Sequence, residues 1–301
     1  MTLLKMTVKR NVKLFFKDKG MFFTSLITPL ILFVLYTTFL SKVYEDAIVS
    51  TLPQGVDISE KIINGAVGGQ LFSSLLAVCC ITVAFCSNML MVQDKVTGAT
   101  KDMAITPVKR STLALSYYIA TLISTFLICA VAMIACFVYL CIVGWYISVG
   151  DVIAIIFDVI LLVLFGTAIS SIVNFFLNTQ GQISAVGSIV SSGYGFICGA
   201  YMPISNFSPT LQRIISFFPG TYGTSLLRNH TMRGALMAME DEGVPSAVVD
   251  GLRDAMDCNI YFFDGKVPMG VMYAVLALSG IALIGGYVLM NYTIGKRVKR
   301  R

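Results

Sequence analysis

Between Asp158 and Arg213 the chain runs for 54 residues without a charged side chain, and between Arg110 and Asp151 for 40. An apolar run of about 20 residues is enough for a helix to cross a hydrocarbon core roughly 30 Å thick. Lipid offers no partners to backbone amides and carbonyls, so such runs must satisfy them internally, as helices. The rest of the composition agrees. Only 13% of residues are charged, against roughly a quarter in soluble domains, and mean hydropathy is +0.82. The fold class is therefore an all-α integral membrane protein. Apolar runs place six spans, near 21–41, 66–91, 113–143, 151–174, 184–203 and 268–292. The longest chargeless interval has to hold the end of one span and all of the next. Its break falls at NFFLNTQGQ, Asn174 to Gln182, the polar cluster available there.

Orientation follows from lysine and arginine bias. With the amino terminus cytoplasmic, the inside segments carry Lys5, Lys9, Arg10, Lys13, Lys17 and Lys19, then Lys95, Lys101, Lys109 and Arg110, then the tail from Lys296 to Arg301. That is 15 of the 22 basic residues, so both termini are expected inside. Before the first span, lysines recur every fourth residue from Lys5 to Lys17 beside an apolar stripe of Leu4, Val8, Val12 and Phe15. Residues 1–20 thus read as an amphipathic helix suited to an anionic membrane interface, or as a basic topology anchor.

Two loops are too patterned to be plain connectors. The cytoplasmic one, QDKVTGATKDMAITPVKRS, covers 93–111. The external one, 204–267, opens with SPTLQRIISFFPGTY, where Ser208 and Pro209 suit the N-cap and first turn of a short helix ending before Pro219. A second short helix is expected after Pro245, giving an external cap of short helices. Within the fifth span, Gly187, Ser191, Gly195 and Gly199 recur every fourth residue, and Ser184, Ser188 and Ser192 form the adjoining row. Small-residue stripes let helix backbones approach closely in lipid. Asp158 is the clear ionisable residue inside a span. A buried carboxylate there is a candidate functional group, unless it is partly wet or simply hydrogen-bonded to a neighbouring span.

The order of these parts resembles the permease subunits of type-2 ABC transporters, and the likeness covers essentially the whole chain as one permease domain, 1–301. Two motifs sharpen it. After the second span the family favours E-R-E-x-G-T-L-E followed by T-P-V, and this chain has Asp94, Lys95, Gly98, Thr106, Pro107 and Val108 in those places. It departs with Val96, Ala99 and Lys101. At the fifth span's exit a Gly/Ser-rich run leads through Pro203 and Pro209 to Pro219 and Tyr222, with Phe218 where the family has asparagine. The resemblance implies a transmembrane subunit of a bacterial exporter in the cytoplasmic membrane, moving a drug-like, lipid-like or otherwise amphiphilic small substrate outward. Polysaccharide or peptide export is the alternative within the class. It implies that loop 93–111 couples to a separate ATPase, which would hold the ATP and Mg, and that a second permease copy or paralogue packs near the Gly187–Gly199 stripe. No G-x-x-x-x-G-K-[ST] phosphate loop occurs in the chain, so no cofactor is expected on it. Nucleic acid is not among the expected partners.

Other classes fit less well. A membrane enzyme such as a lipid-modifying transferase has to contend with a single histidine, His230, and with no plausible metal-ligand spacing. A sensory or regulatory module binding a partner through 93–111 would need no transport at all. Seven of the eight cysteines lie in apolar runs, where a thiol serves as a small hydrophobe, and Cys258 has no evident partner.

Overall fold

The computed structural model describes residues 3–52, 58–106, 108–263 and 265–299, with the side chains of 104 and 294–299 excepted. Helix α1, Leu3–Lys17, exposes Lys5, Lys9, Lys13 and Lys17 and turns Asn11 and Phe15 inward. Asp18 then caps α2, Lys19–Leu35, by accepting from the Met21 amide at 3.1 Å. The same helical run continues through a π turn, Tyr36–Leu40, into α3, Ser41–Thr51.

At the centre stands α4, Glu60–Val96, whose 37 residues are buried almost throughout. At 1.5 Å per residue it is about 55 Å long, well beyond a 30 Å core. Part of it therefore extends beyond the hydrocarbon core. Against it pack α6, Arg110–Val143, and α7, Val149–Phe176, joined by a tight turn. Close packing here depends on glycines. A Cβ at Gly166 would press on the α4 backbone at Cys80, 2.9 Å away. The short α5, Ala99–Ile105, joins α4 to α6 at the end of the bundle that the lysine and arginine bias makes the inner one. The final helix, α12, Met269–Lys299, lies against α6 and α7.

Among the described residues, five helical runs are long and apolar enough to cross a membrane: Lys19–Thr51, Glu60–Val96, Arg110–Val143, Val149–Phe176 and Met269–Thr293. The expected fifth span is the one that falls short. Helix α8, Gln180–Ile197, has 18 residues and stops six before the expected limit at 203. Its glycines and serines both lower its hydropathy and weaken the helix, each glycine by up to about 1 kcal/mol relative to alanine.

The external region also differs from expectation. A 3₁₀ turn, Ile204–Asn206, and the short α9, Pro209–Ile215, end before Pro219. The chain then forms a 23-residue helix, α10, Pro219–Asp241, much of it buried against α4, α7 and α12. It escapes a pattern search because it is buried with polar residues. Thr221, Thr224, Ser225, Arg228 and Thr231 are all buried and find partners inside the fold. The contact of Gly223 with Leu162 of α7 puts its amino end at mid-span depth, and Gly69 against Thr231 puts its later turns beside outer α4. Helix α10 thus starts about midway along α7 and runs back toward the end where α7 begins. The second short helix, α11, Ser246–Ala255, is where Pro245 placed it. A two-residue hairpin, β1 Tyr261–Phe262 with β2 Gly265–Lys266, leads into α12.

Candidate functional site

The inner face is tied together by two adjacent residues at the end of α4. Asp94 is buried and receives both guanidinium nitrogens of Arg10, at 2.6 and 3.2 Å, and the Tyr117 hydroxyl at 2.5 Å. A bidentate arginine pair with a third donor fixes the carboxylate in plane and position. It anchors α1 to α4 and α6, so α1 is bolted to the bundle as well as amphipathic. Lys95 points the other way. Its Nζ donates to the carbonyls of Asn174, Phe175 and Leu177 at 3.1, 2.7 and 3.0 Å. These carbonyls cluster at the carboxyl end of α7, where the helix dipole favours a cation.

Beyond Lys95 the chain reverses at Gly98, whose φ of 87° lies in the left-handed region. Nothing lies within 4 Å of where a Cβ would sit, so the requirement for glycine is conformational, not steric. Helix α5 then projects outward. Ile105 is 85% exposed, and Lys101 and Asp102 are exposed with it. Thr106 closes the helix by donating to the Met103 carbonyl at 2.6 Å. Pro107 lies outside the described residues.

The small-residue stripe of α8 divides between two environments. Gly187 and Ser191 line the space between α2 and α8, with a Cβ at Gly187 meeting the tip of Met89. Gly195 and Gly199 instead pack within their own subunit. A Cβ at Gly195 would overlap the Tyr201 ring, whose hydroxyl donates to the Ser191 carbonyl at 3.0 Å. Gly199 has φ 70° and ends the helix. The adjoining row of Ser184, Ser188 and Ser192, together with Ile189 and Phe196, is the exposed one. Two cavities of 520 and 450 Å³ succeed one another along α2 and α8 and share Thr28, Ser188 and Ser191. The inner is edged by Asp18, Gln93 and Gln180, the outer by Leu32, Leu35, Tyr36 and Leu40.

At the outer end a buried ion pair holds the exit of α8. Arg228 is 1% exposed and donates to Asp257 at 2.9 Å, to Ser74 Oγ at 3.3 Å and to the Gly199 carbonyl. Asp257, in the left-handed region with φ 54°, accepts from the amides of Ile204 and Ser205. Burial lifts the Asp257 carboxyl above the usual carboxylate range, and Arg228 opposes that lift. Pro203 sits at the start of this clamped turn, Pro209 opens α9 and Pro219 opens α10. Tyr222 is buried and its hydroxyl donates to the Ser216 carbonyl at 2.6 Å, tying α9's end to α10.

Asp158 is fully buried, and both its oxygens are used. His230 Nδ1 lies 2.7 Å from Oδ2 and the Tyr273 hydroxyl donates to Oδ1 at 2.7 Å, joining α7, α10 and α12. One level further out, Asp151 completes a capping box with Ser148 and pairs with Arg233 at 2.8 Å. The sequence singled out Asp158 but not its partners. The signals were there, in the lone histidine and in a charged Arg228 amid threonines, but neither could be paired before α10 was recognised as a buried helix.

The family model for the ABC-2 type transporter matches residues 2–231, from α1 through the middle of α10. The chain is a member of the ABC-2 type transporter family. Its membrane-embedded helices are those of a permease, and the family implies a partner ATPase subunit. The elements beyond 231, namely the end of α10, α11, the hairpin and α12, lie outside the matched segment. No curated protein matched the chain.

Proposed function

We propose that this ABC-2 permease exports an amphiphilic, lipid-like or drug-like molecule, driven by ATP and Mg bound on a separate ATPase. The observation that carries the substrate class is the graded groove between α2 and α8. Its inner part is edged by Asp18, Gln93 and Gln180 and its outer part by leucines and Tyr36. A molecule with a polar head and an apolar body matches that order. The exposed Ser184, Ser188 and Ser192 row borders the groove, and a second permease copy packed there would close it into a path. The lysine and arginine bias supports a cytoplasmic location for both termini in a bacterial cell.

Helix α5 serves as the contact with the ATPase. Its exposed Ile105 gives a cleft something to bury. Its amino end is anchored, with Gly98 making the turn and Lys95 and Asp94 tying the root of the loop to α7 and α1. Movement forced on α5 is then handed directly to the central helix.

The test is transport in proteoliposomes holding the permease and its ATPase, using a fluorescent amphiphile. Ser188→Phe fills the part of the groove common to both cavities and should cut ATP-dependent transport while leaving ATP hydrolysis in place. Undiminished transport by Ser188→Phe removes the groove from the pathway.

A further inference from the structure

A separate cavity on the inner face plays no part in that pathway. It measures 240 Å³ and lies among α4, α5, α6 and α12, on the other side of the molecule from the α2–α8 groove. Three cations line it: Lys95, Lys101 and Arg110. Among the described residues, no carboxylate does. Lys95 is occupied by the carbonyls ending α7, but among the described residues neither Lys101 nor Arg110 has an ion-pair partner. The amino end of α6 adds to the positive field. Its N-cap residue, Lys109, offers no side-chain acceptor to the first amides.

Above this rim the walls become apolar. Leu113 and Ala114 continue up α6, and Tyr287 of α12 and Phe175 of α7 face the same space. The cavity therefore has cations at its mouth, at the level where α4, α6 and α7 leave the membrane, and hydrocarbon walls one turn higher. A soluble phosphate would satisfy only the rim, and an acidic side chain from another protein would leave the upper walls empty. We propose that this cavity binds an anionic phospholipid, with its phosphate between Lys101 and Arg110 and the start of an acyl chain against Leu113 and Tyr287. Because Lys101 lies on α5, the bound lipid braces the inner side of that helix and makes its position sensitive to the charge of the leaflet. The lipid's binding does not depend on α5 touching an ATPase. Only the consequence for coupling rests on that reading.

The test uses the full-length permease, delipidated in mild detergent and titrated with phosphatidylglycerol, phosphatidylcholine or glycerol 3-phosphate, with bound species counted by native mass spectrometry. Each basic residue near a charged surface contributes about 1 kcal/mol, so Lys101→Gln/Arg110→Gln should weaken phosphatidylglycerol binding by about 30-fold. The matched loss of charge in Lys9→Gln/Lys13→Gln, on exposed positions of α1, should leave it little changed. Phosphatidylcholine should bind far more weakly than phosphatidylglycerol, and glycerol 3-phosphate should not compete. The proposal is overturned if both double variants lose binding equally or if phosphatidylcholine binds as well. Competition by glycerol 3-phosphate would make this a soluble-phosphate site. Phosphatidylglycerol binding unchanged in Lys101→Gln/Arg110→Gln would place the lipid elsewhere. Either result also overturns the proposal.

Discussion

Removing Arg228 tests how the exit of α8 is held. Arg228→Met keeps most of the volume and deletes the charge from a pair in which both side chains are at most 4% exposed. Breaking a buried pair by removing one partner costs about 3–5 kcal/mol, because the other charge stays buried. The Gly199 carbonyl also loses its guanidinium donor, which adds about 1–3 kcal/mol. The loss at pH 8 should therefore be at least about 4 kcal/mol. Burial already raises the Asp257 carboxyl, and Arg228 is the first influence opposing it. Without Arg228 the folded-state pKa climbs further above the unfolded value of about 3.9. The folded variant then binds a proton more readily than the unfolded chain. Its stability is greatest below pH 4 and is lost as pH rises through the folded pKa. Arg228→Met should consequently be less destabilised at pH 5 than at pH 8, relative to the unaltered protein. Asp257→Asn in the same chain should recover part of the deficit at pH 8 by removing the stranded charge. The assay is denaturant-induced unfolding in detergent, with both variants and the double followed at the two pH values. A loss under about 1 kcal/mol for Arg228→Met, or no recovery on adding Asp257→Asn, would refute the argument that this pair is a buried, mutually dependent clamp.

Gly98→Ala forces an L-residue into the left-handed region at a cost of about 1–2 kcal/mol. The loss should be local, read as faster amide exchange across residues 99–105 with the bundle unchanged. Gly195→Ala should lower thermal stability, because the added methyl displaces Tyr201 from its bond to Ser191. Gly193→Ala, two residues away with open space around it, should be neutral or stabilising in a detergent-solubilised monomer. Asp158→Leu leaves the buried His230 and the half-buried Tyr273 without their shared acceptor and should cost about 1–3 kcal/mol at His230 and less at Tyr273. Asp158→Asn should be milder, which a comparison of unfolding midpoints would show.

Much of the fold was legible because membrane helices announce themselves by length and hydropathy. Five of the six expected spans coincide with long helical runs, and the amphipathic register of Lys5 to Lys17 is the register observed. Helix α8 was legible as a small-residue stripe. Which neighbour the stripe meets was not, since Gly195 is covered by Tyr201 only after the chain has turned back on itself. Helix α10 was missed for a related reason. Much of its burial involves hydroxyls, Arg228 and His230, several of them satisfied by residues far away in sequence, and periodicity of apolar residues cannot register that. The same holds at Asp94. The sequence marked the residue, but the arginine it pairs with lies 84 positions earlier.

In the proposed function, α5 hands the work of an ATPase to the membrane helices. Ile105 is the exposed apolar contact it offers, and Ile105→Asp puts a charge there without touching the bundle. The decisive measurement is affinity purification of the full-length permease from its native membrane, with bound ATPase quantified for the unaltered chain and for Ile105→Asp. An ATPase bearing a phosphate loop should come with the unaltered permease and be largely lost from the variant. Purification of a well-folded permease with no ATPase, or equal recovery with Ile105→Asp, would contradict the account.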